Sequence, residues 1–275
     1  MADISKRAFL RTIWLLKDYL ADIVIGGGWA PLIYYHYLLG DKTNNPVRTF
    51  DIDLLVKNTI PVRGEMSIDH VLTSAGLSTE FKSVDTPPII HYEGVIENYD
   101  VEIEFLTDQK GSTPDVVIEV QRGLHAEALR FISLATDNTI AVTIDDFEDL
   151  DISAPFQVKV PSPSAYLFHK GLVFRRRKEE AKKAKDLYYI FEILFNWTTH
   201  ENQIFDGFAQ LKNKYPAWFK KFEINIVEYF ADLHSEGILM VLNQRPANML
   251  PSLNEDQFKQ YVHGLLSKLI NKISA

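Results

Sequence analysis

The sequence reads Arg48-Thr49-Phe50-Asp51-Ile52-Asp53-Leu54-Leu55-Val56 in its most informative stretch. Apolar and acidic residues alternate here, which predicts a β-strand with Asp51 and Asp53 on one face. Two carboxylates on one face repel each other unless a cation compensates, and oxygen donors of this kind suit Mg²⁺. The alternative is an edge strand with a solvated acidic face. Arg48, just before the acids, either balances Asp51 in a salt bridge or contacts a nucleotide phosphate.

A second acidic strand is predicted at Asp100–Leu106. Its alternation places Glu102 and Glu104 on one face and the apolar residues on the other. A third carboxylate next to the aspartate pair would complete a two-metal site for displacement at phosphorus. We prefer Glu104 for this role, with Glu102 as the alternative ligand, and a solvated face as the non-functional alternative.

Three glycines, Gly26-Gly27-Gly28, follow the short apolar run Ile23-Val24-Ile25. The pattern predicts a buried strand that enters a tight turn before a helix. Glycine lets the backbone approach a phosphate closely, although three glycines also form an ordinary turn. No Gly-x-Gly-x-x-Gly pattern and no Gly-Lys-Ser/Thr follows, which argues against a dinucleotide site and a P-loop.

Composition limits the class of protein. The 275 residues are 46% hydrophobic and 24% charged, with a net charge of −8, which excludes a uniformly basic nucleic-acid coat. Cysteine is absent, so a disulfide framework and a thiolate zinc site are excluded. The sequence has no run of about 18 apolar residues, so no membrane span is predicted. The N-terminus lacks the pattern of a secretion signal. We therefore expect a cytoplasmic protein.

The order of elements predicts two domains. Pro161-Ser162-Pro163 separates a mixed α and β half, residues 1–160, from a helical half, residues 161–275. The first predicted helix of the first half carries Phe9, Ile13, Leu16 and Leu20 at helical spacing, and Ser5 could cap its start. Two more helices of this half are predicted at residues 29–39 and 67–75. Its predicted strands are 23–25, 50–56, 80–84, 89–92, 100–106, 116–120, 139–144 and 157–160. The predicted helices of the second half are 165–174, 181–195, 203–212, 224–234 and 257–273. The fold class expected is α/β (α+β) with a mixed sheet, followed by an all-α domain.

Basic residues concentrate between Lys170 and Lys185. The pattern indicates either a solvated helix face or an anion-binding surface. The eight residues are Lys170, Arg175, Arg176, Arg177, Lys178, Lys182, Lys183 and Lys185.

Together these motifs resemble the nucleotidyltransferase-fold (polymerase-beta-like) superfamily. The resemblance covers roughly residues 5–195 and consists of the glycine turn at Gly27-Gly28, the Asp51-x-Asp53 strand and a later acid at Glu104. The closest similarity is to the prokaryotic branch that includes AbiEii-type toxins. That branch often has Arg-Thr before the paired acids, as at Arg48-Thr49, and a lysine, arginines and Lys-Asp-Leu in its helical half.

The resemblance implies a transferase that moves a nucleoside monophosphate from a nucleoside triphosphate, such as ATP or GTP, to an acceptor hydroxyl. Asp51, Asp53 and Glu104 would hold Mg²⁺ or Mn²⁺. The implied nucleotide-binding residues are Gly27, Gly28, Arg48, Lys170, Arg175 and Asp186. The acceptor stays open between an RNA end such as tRNA, a protein and a small molecule. A toxin role would add an antitoxin partner. The alternative is a catalytically degenerate nucleotide-binding or protein-interaction module on the same fold.

Overall fold

A computed structural model describes residues 4–43, 51–81, 90–109, 111, 116–147 and 150–274. The chain divides into two compact units, Met1–Pro161 and Ser162–Ala275. The first combines a mixed sheet with helices and the second is helical, which confirms the predicted fold class.

The described strands of the first unit form one nine-stranded sheet. They are β1 (Ile23–Ile25), β2 (Asp51–Val56), β3 (Ser78–Phe81), β4 (Ile90–Ile96), β5 (Tyr99–Asp108), β6 (Val116–Gln121), β7 (Leu124–Leu129), β8 (Thr139–Ile144) and β9 (Phe156–Pro161).

The main path of the sheet runs β3-β4-β5-β2-β1-β9-β8, and β7 and β6 extend it from β5. Parallel pairs join β2 to β5, β5 to β7 and β1 to β9, whereas the other pairs are antiparallel. One edge of β5 pairs with β2. Its other edge pairs first with β4 and then, further along the strand, with β7. The two acidic strands, β2 and β5, are therefore neighbours in the interior of the sheet.

Four α-helices of the first unit are described: α1 (Ile4–Leu15), α2 (Trp29–Ile33), α3 (Ile68–Ser74) and α4 (Ile132–Thr136). Helix α1 buries Phe9 and Ile13 and packs on β4 and β5. It begins at Ile4, so Ser5 lies inside the helix and, contrary to the prediction, does not cap its start. A π-helical turn, Tyr34–Leu38, continues α2.

The second unit contains α5 (Pro163–Val173), α6 (Glu180–Asn196), α7 (Glu201–Lys214), α8 (Pro216–Tyr229), α9 (Glu236–Asn243) and α10 (Glu255–Ser274). Ser162 caps α5, because its hydroxyl accepts a hydrogen bond from the Ala165 amide at 3.3 Å, and Pro163 suits the first turn. Helix α6 is the central helix and contacts α5, α9 and α10. None of the helices that the structure describes has the length and apolar character needed to cross a membrane.

Candidate active site

The acidic strands place four carboxylates side by side. In the parallel ladder between β2 and β5, Asp51 pairs with Glu102 and Asp53 with Glu104. Paired residues on adjacent strands point to the same face, and strands lie about 4.8 Å apart. The backbone therefore brings together the residues that the sequence pattern singled out, on one face of neighbouring strands.

The two faces of these strands differ in burial. Ile52, Leu54, Ile103 and Phe105 are buried, whereas the four acids are half-buried. At the carboxyl end of the acidic face, Leu55 and Leu106 join a buried cluster with Val24 and with Ile132 and Ala135 of α4.

Asp108, the last acid of β5, belongs to the support of α4. Its carboxylate accepts a hydrogen bond from the Ser133 amide at 2.8 Å, near the start of that helix. Asp108 thus stabilises the helix terminus. Helix α4 and Asp108 lie at one end of the acidic face of β2 and β5. The carboxylates of Asp51, Asp53, Glu102 and Glu104 lie further along the two strands.

The glycine turn lies against Asp53. The Gly26 amide donates a hydrogen bond to the Asp53 carbonyl at 2.8 Å, which continues the pairing of β1 with β2. Gly27 has φ +53°, and a Cβ at this position would lie 1.8 Å from Oδ2 of Asp53. Any side chain at position 27 would overlap the Asp53 carboxylate, so only glycine fits there. The turn and the acidic strand therefore form one structural unit. Gly28 then leads into α2.

Trp29, the residue after the glycines, turns into the core. Its ring is stacked on that of Phe9 from α1, with centroids 4.2 Å apart and planes inclined by 3°. The indole is 3% exposed, so it packs the turn against α1. Trp29 thereby fixes the position of the glycine turn relative to the rest of the unit.

Sequence reasoning missed two residues at this face, His91 and Glu93 of β4. Glu93 pairs with Glu102 across the sheet. His91 is buried, and its Nε2 lies 2.6 Å from Oε1 of Glu93 and 4.0 Å from Oε1 of Glu102. The predicted strand ended at Tyr92, whereas β4 continues to Ile96. Alternation across His91-Tyr92-Glu93 is the sequence signal that would have found both residues.

A metal ion suits the chemistry of this face. All four acids offer carboxylate oxygens, the donors that Mg²⁺ and Mn²⁺ prefer, and the lack of a side chain at Gly27 leaves room for the Asp53 carboxylate itself. Within the part of the chain that the structure describes, no three His, Asp or Glu side chains are already grouped as a metal site. The backbone register fits the ion, and side-chain rotation would have to bring the oxygens together.

Arg48, predicted to contact phosphate, lies outside the described residues. Its role at the nucleotide stays a prediction.

Three other predicted site residues lie in the helical unit, where Lys170 and Asp186 form a buried ion pair. Lys170 Nζ donates to Oδ1 of Asp186 at 2.6 Å, and Arg177 Nε donates to Oδ2 at 2.8 Å. Burial raises the pKa of the Asp186 carboxyl, but Lys170 and Arg177 outweigh burial and hold that pKa below its ordinary value. The rings of Tyr166 and Tyr189 lie 5.5 and 5.2 Å from Lys170 Nζ.

Arg175 is held by a different acid. Its Nη1 donates to Glu228 at 2.6 Å, and its guanidinium lies 5.4 Å from the Tyr229 ring centroid. Lys170, Arg175 and Asp186 thus have defined partners inside the helical unit. Their contact with a nucleotide stays a prediction.

His169 is a half-buried, neutral member of the same region. Its Nε2 is buried without a hydrogen-bond partner among the described residues. Burial lowers the pKa of His169 to about 3, and the charge of Lys170 adds to the shift. The imidazole therefore stays uncharged at neutral pH.

A mixed sheet, paired acids on adjacent strands and a glycine turn against one of them are the features by which the sequence resembles nucleotidyltransferases. A family model described as "Nucleotidyltransferase" matches residues 8–209, well over half of the chain. The chain belongs to this nucleotidyltransferase family. No curated protein matches the chain.

Among solved structures, the chain is similar to an antigenic nucleotidyltransferase-like protein from Paracoccidioides brasiliensis, with 16% sequence identity and a TM-score of 0.38. The match covers 79% of this chain and 92% of that one.

Proposed function

We propose that this protein transfers a nucleoside monophosphate from a nucleoside triphosphate to an acceptor hydroxyl, with Asp51, Asp53 and Glu104 as the metal-binding acids. The observation that carries the proposal is the register of β2 and β5, which pairs Asp53 with Glu104 beside the glycine turn. In the reaction, the acceptor oxygen forms a bond to the α-phosphorus. The bond from that phosphorus to the β-phosphate oxygen breaks, pyrophosphate leaves, and the hydroxyl proton passes to solvent.

Glu104 is the preferred third ligand over Glu102 for two reasons. It pairs in register with Asp53, the acid against which Gly27 packs. Glu102 pairs with Asp51 and also lies within 4.0 Å of His91 on the other neighbouring strand. We therefore assign Glu102 a supporting role.

Mg²⁺ or Mn²⁺ held by these acids would neutralise triphosphate charge and lower the pKa of the acceptor hydroxyl. The residues of the chain contribute position. β2 and β5 fix the acids in the interior of a sheet, and Gly27, which is half-buried, and the buried Gly28 would let a phosphate come close to the backbone because they lack side chains. ATP and GTP are the triphosphates to try first.

The test is transfer of α-³²P label from each of the four nucleoside triphosphates, with Mg²⁺ or Mn²⁺, to RNA, protein and small-molecule acceptors. We expect Asp51→Asn, Asp53→Asn and Glu104→Gln each to lower transfer by at least about 100-fold, because each removes charge that would hold the metal. Glu102→Gln should lower transfer by a smaller factor.

The matched control is Asp100→Asn, which removes an exposed acid of the same strand. It should transfer label as well as the wild type. Nucleotide binding with no transfer to any acceptor would instead favour a degenerate binding module. Release of phosphate to water in place of transfer would indicate a phosphohydrolase.

A toxin role, with an antitoxin partner, rests on the sequence resemblance alone, and we keep it as a hypothesis. It requires that expression of the wild type arrests bacterial growth and that Asp53→Asn does not. Equal growth with both proteins would exclude the toxin role.

A further inference from the structure

The turn between α7 and α8 concentrates positive charge. The segment from Gly207 to Phe222 contains four lysines and no acidic residue, in a chain whose net charge is −8. All four are exposed. They are Lys212, Lys214, Lys220 and Lys221.

Two aromatic side chains lie among these lysines. The rings of Tyr215 and Trp218 are parallel within 3°, with centroids 5.1 Å apart, and both residues are partly exposed. The neighbouring Phe219 and Phe222 are buried instead and pack in the helical core. Helix α8 thus divides its aromatic residues between the core and the surface. We call residues 212–221 the lysine–aromatic turn.

Helix stabilisation accounts for only part of this charge. Lys212 and Lys214 lie in the last turn of α7, where cations interact favourably with the helix dipole. Lys220 and Lys221 lie in the N-terminal half of α8, where a cation gains nothing from the dipole. Lys221 also follows Trp218 by three residues, so the two share one helix face.

We propose that the lysine–aromatic turn binds single-stranded RNA. Lysines contact phosphates regardless of sequence, and aromatic rings stack on bases that are not paired. RNA ends and loops present such unstacked bases. The negative charge of the rest of the chain is screened beyond about 10 Å at 0.1 M salt, so a local cluster can attract a polyanion.

The inference names the acceptor class and in that respect rests on the proposed function. The turn lies beyond residue 209, where the match to the family model ends. RNA binding at this place would therefore be a property of this chain in addition to those of its family.

The experiment is fluorescence anisotropy of the full-length protein with a labelled, unstructured RNA of about 20 nucleotides, without nucleotide or metal, at several salt concentrations. Trp218→Ala should raise Kd about 5- to 100-fold because a stacking platform is lost, whereas Trp218→Phe should retain most of the affinity. Lys220→Ala/Lys221→Ala should reduce the slope of log K against log salt by about 1.4, which is two phosphate contacts on a single strand.

The matched control is Lys57→Ala/Lys259→Ala, which removes the same charge outside residues 212–221 and should leave the slope unchanged. Circular dichroism and urea midpoints verify that each variant folds. The proposal is overturned if the wild type does not bind RNA, or if the lysine pair and its control behave alike. Tighter binding of single-stranded DNA, or binding of anionic phospholipid vesicles instead of RNA, also overturns it.

The two proposals fail separately. Asp53→Asn should bind RNA as the wild type does while losing transfer. If the wild type binds RNA but transfers no label to any acceptor, the proposed function fails and the RNA surface stands. If transfer occurs without RNA binding, the RNA surface fails and the transferase stands.

Discussion

Gly27 is fixed by two independent constraints. Its φ of +53° lies in the left-handed region that glycine alone adopts at little cost, and the Asp53 carboxylate occupies the place where a side chain would begin. Sequence reasoning assigned Gly27 to phosphate binding, for which the same lack of a side chain is needed. The structure adds that Gly27 also makes room for a proposed metal ligand.

We predict that Gly27→Ala impairs both stability and transfer. The left-handed backbone alone should cost about 1–2 kcal/mol. The Cβ would also displace the Asp53 carboxylate, so transfer should fall along with the free energy of unfolding. Urea denaturation and the label-transfer assay measure the two effects.

Gly40→Ala is the matched control for this change. Gly40 has φ +72°, and a Cβ at this position would have nothing within 4 Å. Gly40→Ala should therefore cost only the free energy of placing alanine in a left-handed backbone conformation. Equal effects of the two alanines on both measurements would show that contact with Asp53 is unimportant.

At single residues, the sequence identified the acids that alternation places on one face. Asp51, Asp53, Glu102 and Glu104 were found because a strand period of two is visible in the sequence. His91 was not found, because its partners Glu93 and Glu102 are set partly by pairing across strands. Pairing between β4 and β5 depends on the whole sheet, which no local pattern encodes.

Among the elements, β5 carries an electrostatic cost. Glu102 pairs with Asp51 on one side and with Glu93 on the other, so three acids lie across adjacent strands. Like charges directly opposite in a sheet are destabilising by a few tenths to about 1 kcal/mol. Strands selected for stability alone would avoid this arrangement, which supports a role for the acids in binding a cation.

We therefore predict that Glu102→Gln raises the free energy of unfolding by about 0.5–1 kcal/mol when metal is removed by a chelator. Asp100→Asn, opposite Val95 in the same strand, should change it little. Urea denaturation in a chelator measures both. A less stable Glu102→Gln protein would show that the approach of Glu102 to His91 outweighs the repulsion.

Elements with a clear apolar period were predicted, and the others were missed. The strand predicted at 139–144 is confirmed as β8, and the final helix extends only one or two residues beyond its prediction at each end. Strand β7 was missed because its buried positions include Ala126 and Ala128, which have low strand propensity. The helix predicted at 224–234 has the wrong bounds: α8 spans Pro216–Tyr229, so the two overlap over residues 224–229, and Ile224 is exposed. Helix α9 was not predicted at all.

For the chain as a whole, the neutral His169 should make stability fall in acid. The folded pKa is about 3, below the ordinary value of 6.5, so between these values the unfolded chain binds a proton that the folded chain does not. Stability is then fully present above about pH 6.5 and is lost as pH falls towards 3. The pKa of Asp186 is also lowered in the folded state, so the protein loses further stability as the pH falls below the ordinary Asp pKa of 3.8.

We predict that His169→Gln reduces the drop in urea midpoint between pH 7 and pH 4.5. The exposed His234→Gln is the control, in the same unit, and should retain the wild-type drop. If His169→Gln loses as much stability in acid as the wild type does, His169 is protonated in the folded state and its burial has no such effect.

The position of β1 between β2 and β9 has a consequence for synthesis on the ribosome. β1 and β2 emerge early, but β9 ends at Pro161, so the strand beside the glycine turn stays unpaired on one edge while about 100 further residues are added. At 5–20 residues per second this takes on the order of 5–20 s. A nascent chain therefore exposes a bare apolar strand edge for seconds, and chaperone binding to that edge is the event to expect during translation.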